Sequence, residues 1–259
     1  MKKQSEALEL FNSAKKEVPE IRYTLPGAKK DILMRPYTTS EQKAILKAFE
    51  GEDEDLLNDA FDKLLINCVL NKGFDPNKLL TKDRECLLMA LRMGSDSDKV
   101  THIWKCTNKK CGYQNKLEID LKDIDELKAE TDLKLKKIKL DTSDVTIVVG
   151  PSTREDERHI MKHIKKYPVK GKKSNAEILA SAYAASIKGM MKGEEMIELS
   201  FSDRMAIYEQ FNMSDRNKLD QYFESMQVYG YNMDLGTHKC DKCGEETEQE
   251  LDWLSFFLK

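Results

Sequence analysis

Two pairs of cysteines, far apart in the sequence, place the strongest constraint on how this 259-residue chain can fold. The pairs are Cys106 with Cys111 and Cys240 with Cys243. Gly112 and Gly244 directly follow the second cysteine of each pair, as in zinc knuckles, where the backbone at this point needs a positive φ. A tetrahedral metal ion takes four ligands, and two knuckles supply four thiolates.

The two pairs belong to an internal repeat. When Cys111 is aligned with Cys243, the residues that follow also correspond: Glu118 with Glu250, Ile119 with Leu251, Asp120 with Asp252 and Leu121 with Trp253. Each copy therefore predicts a knuckle, a short turn and an outgoing strand. Two such halves that face each other form a zinc ribbon, with residues 112–239 inserted between the inner cysteines.

The energetics allow a metal ion to join halves so far apart. Closing a loop of ~130 residues costs about 4 kcal/mol plus a constant, whereas a Cys₄ zinc site releases on the order of 10–16 kcal/mol in small peptides. A closed Cys₄ site leaves no position for water, which favours structural over catalytic zinc. We therefore predict one structural Zn²⁺ per chain, with ligands Cys106, Cys111, Cys240 and Cys243. Disulfides, idle thiols, iron in the same cage, and His102 or His238 in place of a thiolate are the alternatives.

The composition excludes several classes of protein. Six cysteines are too few for a disulfide scaffold, and a net charge of −3 argues against a protein that coats nucleic acid. No apolar run reaches the ~18 residues of a membrane span, and residues 1–6 do not lead into a secretory signal. We expect a protein of the reducing cytoplasm, where paired cysteines more often bind metal.

The hydrophobic patterning predicts an α+β fold, with a mostly helical body, a small N-terminal β-hairpin, a central strand pair and the split Cys₄ zinc ribbon. We divide the chain into four segments: 1–100 (N-terminal hairpin and helical region), 101–121 (first half of the ribbon), 122–235 (strand pair and helical region) and 236–259 (second half of the ribbon and an apolar tail).

Local signals place the individual elements. We expect a helix within 1–18, strands at 21–25 and 31–36, and a helix from the capping box at 38–41 to about Glu50. Helical spacing follows in 56–69 and 81–93. Residues 121–130 are predicted to be helical and 145–149 to form a central strand. A second capping box at 152–155 begins three or four helices before residue 228, which the loop 165–173 and glycines 189 and 193 separate.

Other residues that could bind a metal ion or a phosphate are better explained by structural roles. Cys68 and Cys86 lie in apolar helical patterns and are predicted to be core residues. His159 and His163, one turn apart with Glu155 before them, could present three metal ligands, but the surrounding basic residues favour a solvated face. Residues 170–174 lack the earlier glycine of a phosphate-binding loop. We expect no catalytic residues, no small-molecule substrate and no enzymatic activity.

Two surface features suggest contacts. The basic residues of 162–173 form either an exposed loop or a patch that contacts an acidic protein or nucleic acid. The tail, residues 251–259, is strongly apolar. It packs on its own domain or inserts into a partner, where its aromatic side chains would supply binding energy.

The order of these features resembles the base plate protein family of T-even-type contractile-tailed phages. The matching segments are 23–27, 32–38 followed by a helix from Ser40, 61–68, 83–92, the two Cys-Gly knuckles and the final Phe256-Phe257. The chain departs from the commoner pattern because four residues, rather than two, separate Cys106 from Cys111. The resemblance implies a non-enzymatic component of the baseplate hub, or a factor that assembles it, which binds other hub proteins.

The same resemblance implies a place for the protein: the host cytoplasm during assembly, and the virion if the protein stays in the tail. A zinc-ribbon protein that binds nucleic acid or the transcription machinery through 162–173 is the alternative function. An electron carrier with iron in the Cys₄ cage is a third hypothesis, which an absorbance spectrum would distinguish.

Overall fold

The computed structural model describes residue 10, residues 13–14, 18–51, 53–129, 133–168, 173–226 and 228–251, and residue 257. The expected helix within 1–18 lies mostly outside the described residues. The seven longer helices that the structure describes are α1 Thr39–Glu50, α2 Glu54–Cys68, α3 Thr81–Ser95, α4 Arg154–Lys166, α5 Asn175–Ser186, α6 Phe201–Tyr208 and α7 Met213–Glu224. Among the described residues, no helix is both long and apolar enough to cross a membrane.

The strands are short and pair locally, which confirms the mixed fold that the sequence predicts. They are β1 Ile21–Thr24, β2 Asp31–Met34, β3 Lys99–Lys105, β4 Gln114–Asp120, β5 Glu126–Leu127, β6 Lys136–Lys139, β7 Thr146–Val149, β8 Ile187–Lys192, β9 Glu195–Glu198, β10 Gly230–Tyr231, β11 Asp234–Lys239 and β12 Glu246–Glu250. They form four two-stranded sheets and one four-stranded antiparallel sheet, whose strand order is β6-β7-β8-β9.

The N-terminal part follows the sequence prediction closely. β1 and β2 form an antiparallel hairpin in which Ile21 pairs with Met34. Thr38 caps α1, and its side chain and that of Glu41 form the reciprocal bonds of a capping box. Ile32 and Met34 are buried with the apolar faces of α1, α2 and α3 in the larger hydrophobic core, which we call core 1. This core also contains Leu121.

Residues 121–130 contradict the predicted helix. A single 3₁₀ turn spans Leu121–Asp123, and the chain then extends into β5, which pairs with β10. The Asp120 side chain accepts a hydrogen bond from the backbone of Lys122 and begins the short turn. Burial of Leu121 in core 1 and the long-range pairing of β5 override the helical preference of these polar residues.

A second hydrophobic core lies between the four-stranded sheet and helices α5 and α7. Its buried residues, which we call core 2, are Leu140, Ile147, Val149, Tyr183, Ile187, Leu219 and Tyr222. The predicted strand at 145–149 is central, because β7 lies between β6 and β8. The sheet is larger than the expected strand pair, since β8 and β9 add a second hairpin.

The second hairpin corrects the role predicted for two glycines. Gly189 and Gly193 do not separate helices: Gly189 lies within β8 and Gly193 in the turn before β9. Gly193 has a φ of 64°, which suits a tight turn. At Gly189 a Cβ atom would lie 2.5 Å from the carbonyl oxygen of Ile197, so only glycine permits this close approach of the strands.

The start of α4 also differs by one residue from the prediction. Thr153, rather than Ser152, is the capping residue, and Asp156 completes the capping box. The prediction of three or four helices before residue 228 holds, since α4 to α7 lie in that range. Ser174 caps α5 by accepting a hydrogen bond from the backbone of Glu177, as its position in the sequence suggests.

A buried ion cluster joins α2 and α3, which contribute to core 1, to α4. The carboxylate of Asp62 on α2 accepts from Arg84 Nε at 2.7 Å and from Arg154 Nε at 2.9 Å. Arg158 on α4 donates to the same carboxylate at 2.8 Å. Burial alone would raise the pKa of Asp62, but the three arginines outweigh it and lower the pKa.

Candidate metal centre

Two β-hairpins carry the four predicted ligands. β3 and β4 pair from Lys99–Asp120 to Lys105–Gln114, and Cys106 and Cys111 lie in the connection. β11 and β12 pair in the same antiparallel manner, and Cys240 directly follows β11. The repeat that the sequence shows is therefore a structural repeat of two knuckle-bearing hairpins.

The backbone of each knuckle is tightly hydrogen-bonded. The N–H groups of Cys111 and Gly112 both donate to the carbonyl oxygen of Asn108, at 2.9 Å and 3.2 Å. In the second knuckle, Gly244 N–H donates to the carbonyl oxygen of Cys240 at 2.8 Å. Gly112 has a φ of 57° and Gly244 a φ of 73°, which confirms the positive φ expected after each pair. The longer first knuckle makes an equivalent turn.

The four sulfur atoms converge on one point between the hairpins. The Sγ atoms of Cys106 and Cys243 lie 3.6 Å apart, and those of Cys111 and Cys240 lie 3.8 Å apart. All four sulfur atoms lie within 4.8 Å of one another. With zinc–sulfur bonds of about 2.3 Å, a tetrahedral site places its sulfurs about 3.8 Å apart. The cluster could therefore hold a metal ion.

The same distances exclude disulfide bonds in this arrangement. A disulfide requires an S–S separation of about 2.05 Å, and all four cysteines are free. The contacts of 3.6 Å and 3.8 Å each join a cysteine of one hairpin to a cysteine of the other. The sulfur atoms are thus arranged around a shared centre.

Direct hydrogen bonds hold the hairpins together around the cluster. The buried side chain of Asn115 on β4 accepts from the backbone N–H of Asp241 at 2.9 Å. The hydroxyls of Thr107 and Thr247 lie 3.1 Å apart. Trp104 packs with the buried Cys106 and Cys240 in a small apolar cluster, whereas Cys243 is exposed. The two halves are thereby aligned by contacts of the protein itself.

Neither neighbouring histidine belongs to the cysteine cluster. The buried His102 lies 3.2 Å from the side-chain oxygen of Gln249, so it joins β3 to β12. His238 is hydrogen-bonded through Nε2 to the backbone oxygen of Leu235. Only the four cysteines form a group of metal-binding side chains in the part of the chain that the structure describes.

Two opposing effects act on the ionisation of the cluster. Burial raises the pKa of the Cys106 thiol. Burial also opposes ionisation of Cys240, but hydrogen bonds from the backbone N–H groups of Cys243 and Lys242 outweigh it and lower the pKa of Cys240. Thiolates are the form in which cysteines bind thiophilic cations.

The comparison with protein families agrees with this geometry and with the resemblance seen in the sequence. The sequence model of the T4 bacteriophage base plate protein family matches residues 18–259. The chain belongs to this family. The match runs from the N-terminal hairpin through both knuckle-bearing hairpins. No curated protein and no solved structure matched the chain.

The remaining cysteines of this baseplate-family protein are core residues, as predicted. Cys68 and Cys86 are buried, with 0% and 1% of their surface exposed. Burial raises the pKa of Cys68 to about 11 and that of Cys86 to about 12. Both side chains are therefore protonated at neutral pH.

The histidines of α4 do not form a second site. His163 lies 2.8 Å from Glu177 and is mostly covered, in contrast to the solvated face that we expected. The ring of His159 stacks on Phe201 at 5.3 Å between centroids and remains half-exposed. Contacts with α5 and α6, which the sequence of α4 alone does not reveal, account for the difference.

The basic segment at 162–173 is partly neutralised within the chain. Lys165 forms an ion pair with Asp55, and Lys173 forms one with Glu54 at 2.5 Å. The acidic run at the start of α2 therefore faces this segment, which weakens the patch as a nucleic-acid contact. Residues 169–172 lie outside the described residues.

The described residues of the C-terminal tail pack on the protein itself. Leu251 and Phe257 are buried in core 1, with 2% and 1% of their surface exposed. The ring of Phe257 lies 5.0 Å from that of Phe61 and 6.2 Å from that of Tyr37. Of the two outcomes expected for the tail, these residues support packing on its own domain.

Proposed function

We propose that this protein is a non-enzymatic structural or assembly component of a contractile phage tail baseplate hub, stabilised by one structural Zn²⁺ per chain. The match of the baseplate family over residues 18–259 carries the proposal for the baseplate. The narrower proposal of a role in the hub rests on the resemblance in the sequence. The converging sulfurs of Cys106, Cys111, Cys240 and Cys243 support the metal ion.

The donor set favours zinc in a structural role. Four thiolates complete a tetrahedral shell, so no position remains for a substrate or a reactive water. Thiolates also select zinc and iron over magnesium or calcium, which bind oxygen ligands. Between zinc and iron, the family context of a structural component favours zinc, which has no redox chemistry.

The position of the site explains what a structural ion would do. Cys106 and Cys243 are 137 residues apart in sequence, so a shared ion closes a very long loop. β12 leads directly to Leu251 and then to Phe257, both in core 1. The ion would hold the end of the chain against the first half of the ribbon and keep the N-terminal and C-terminal parts together.

We retain the four segments 1–100, 101–121, 122–235 and 236–259 as a proposal for the organisation of the chain. Core 1 draws mainly on the first segment and core 2 on the third, which supports the division. The two ribbon halves have their own small apolar cluster around Trp104.

The buried carboxylates support a non-enzymatic role because each has a structural partner. Asp62 binds arginines, and Asp83 accepts from the backbone N–H groups of residues 27 and 28. Asp156 binds Lys188 and Arg204. A catalytic acid or base instead needs a free face toward a substrate.

As partners we propose other hub proteins of the baseplate, with no membrane, nucleic acid or small-molecule substrate. The protein would act in the host cytoplasm during assembly and remain in the virion if it is a permanent part of the tail. The ion pairs of Lys165 and Lys173 with the acidic run argue against the nucleic-acid alternative.

Affinity capture from infected cells tests the proposal. Tagged, zinc-loaded protein should retain other baseplate hub proteins from the lysate, and phage that lack the gene should fail to complete the hub. A Cys240→Ser variant, which should lose the ion and open the ribbon, tests whether hub binding needs the metal centre, and Thr107→Ala, which keeps all four thiols, is its control. Normal hub assembly without the gene, together with no capture of a hub protein, would contradict the proposal.

A further inference from the structure

The four-stranded sheet has two end strands of opposite charge. Among the residues that the structure describes, β6 and β9 each have one neighbour in the sheet, so each has one side without a strand partner there. The basic end strand is preceded by Lys134 and contains three lysines: Lys136, Lys137 and Lys139. The acidic end is the turn and strand with Glu194, Glu195 and Glu198.

The charges at these ends are largely uncompensated within the chain. Among the described residues, the three glutamates at the acidic end have no ion-pair partner within 4.0 Å. At the basic end, Lys139 pairs with Asp144, and the ring of Tyr222 lies 5.6 Å from the ammonium of Lys136. Lys137 is exposed and has no ion pair with the described residues.

The register of the sheet aligns these two ends residue by residue. Lys137 pairs with Val148, Val148 with Gly189, and Gly189 with Glu198. Lys137 and Glu198 are therefore the two ends of one row across the sheet. The next row begins at Ile138 and ends at Ile197.

The second row is apolar and ends in an exposed side chain. Ile138, Ile147 and Met190 of this row pack in or against core 2. Ile197 continues the row on the same face, but 43% of its surface is exposed. An unpaired strand edge is a template to which another strand can add, and Ile197 would give such a strand an apolar neighbour on the core-facing side.

We propose that β9 of one copy of this protein pairs with β6 of a second copy, so that the chains associate head to tail through a continuous antiparallel sheet. All strands of the sheet are antiparallel, so β6 of a second copy in the same orientation continues the alternation. Without a shift in register, Ile138 of the second copy lies opposite Ile197, and its Lys137 lies opposite Glu198.

Charge selects this pairing over the symmetric ones. Two β6 strands would bring lysines together and two β9 strands would bring glutamates together, and like charges opposite each other destabilise a sheet. The mixed pair places opposite charges side by side.

One carbonyl group of β6 is already in use, since Lys218 donates to the oxygen of Lys139 at 2.6 Å, so the pairing centres on residues 136–138. Such a contact uses different surfaces on the two copies, and repetition produces a ring or a filament. It depends neither on the metal centre nor on the hub role.

Sedimentation of the zinc-loaded full chain over a range of protein concentrations tests this association. The mass of the wild type should rise above 29.9 kDa with concentration at low salt and fall back at high salt. Lys137→Glu or Glu198→Lys should each weaken association about tenfold or more, because an attractive pair becomes a repulsive one. The double variant Lys137→Glu with Glu198→Lys should associate again, as should an equimolar mixture of the two single variants.

Lys43→Glu on the exposed face of α1 is the matched control and should associate like the wild type. Circular dichroism and zinc content verify that each variant folds. The proposal is overturned if the wild type stays monomeric up to its highest soluble concentration. It is also overturned if this monomeric protein uses the sheet to bind a different baseplate protein instead. Equal association of the wild type and both single variants also overturns it.

Discussion

The sulfur atoms of Cys106 and Cys243 lie 3.6 Å apart although 137 residues separate them in sequence. This contact joins the hairpin β3–β4 to the hairpin β11–β12, with the whole four-stranded sheet and helices α4 to α7 inserted between them. The ribbon is therefore a junction of the fold rather than an appendage.

Removal of one thiolate should open this junction. In Cys240→Ser the zinc content of the purified protein should drop to near zero, and proteases should cut within 101–121 and 236–251 faster than in the wild type. The helical cores should keep their circular dichroism, because they do not depend on the ribbon for most of their contacts. Thr107→Ala, which removes a hydroxyl beside the ligands, should retain the zinc ion. Unchanged zinc content and protease sensitivity in Cys240→Ser would refute this prediction.

The positive φ after each knuckle gives a second prediction. Gly244→Ala should destabilise the ribbon by about 1 kcal/mol, because an L-residue is strained at a φ of 73°. A Cβ atom there has open space, so backbone strain is the whole effect. The matched control is Gly51→Ala, where φ is −75°, and it should be neutral or slightly stabilising. Thermal unfolding of the zinc-bound proteins distinguishes the two variants, and equal melting temperatures would count against the backbone argument.

Removal of the carboxylate from the ion cluster at Asp62 should strongly destabilise the fold. Asp62→Ala leaves Arg84 and Arg154 buried without their carboxylate, and the expected loss is about 3–5 kcal/mol. Asp59→Ala removes only an exposed partner of Arg158 and should cost about 0–1 kcal/mol. Urea denaturation of both variants measures the difference. If the two variants lose a similar free energy of unfolding, Asp62 does not bind Arg84 and Arg154 in solution as the geometry indicates.

The buried end of the tail should matter as much as an internal core residue. Phe257→Ala removes a ring that packs 5.0 Å from Phe61, and the expected loss is about 3–5 kcal/mol. Val228→Ala changes a side chain with 81% of its surface exposed and should alter stability by less than about 0.5 kcal/mol. If Phe257→Ala is as stable as the control, the tail does not pack on core 1 in solution.

The pair between Glu41 and Arg35 predicts a pH dependence of stability. The hydrogen bond from Arg35 lowers the pKa of Glu41 to about 2, from an ordinary value of 4.5. The ionised carboxylate of Glu41 is therefore more stable in the folded state than in the unfolded state. Its contribution to the free energy of unfolding is complete above pH 4.5 and is lost as the pH falls toward 2. Glu41→Gln keeps the capping geometry but has no charge to titrate. Urea midpoints at pH 5 and pH 3 should differ less in this variant than in the wild type, and an equal difference would contradict the assignment.

The sequence predicts the features that depend on local spacing. The two knuckles were recognisable because a tetrahedral ion needs cysteines and a following glycine at short, regular separations. Thr38 and Glu41 likewise identify the start of α1, since a capping box is complete within four residues.

Features that depend on distant contacts could not be found in this way. Residues 121–130 read as helical because nothing nearby reveals that β5 pairs with β10. Gly189 reads as a helix breaker, whereas the close approach of Ile197 is what requires it. The ion cluster at Asp62 joins three helices, and charged residues in helices usually indicate only an exposed face.

The central claim is that Cys106, Cys111, Cys240 and Cys243 bind one structural zinc ion. Elemental analysis of the full chain, purified under reducing conditions without chelator or added metal, tests it most directly. The account predicts a colourless protein with about one zinc per chain, which a chelator removes with loss of protection in 101–121. A natively folded protein that contains no metal, or one that contains iron and absorbs visible light, would contradict it.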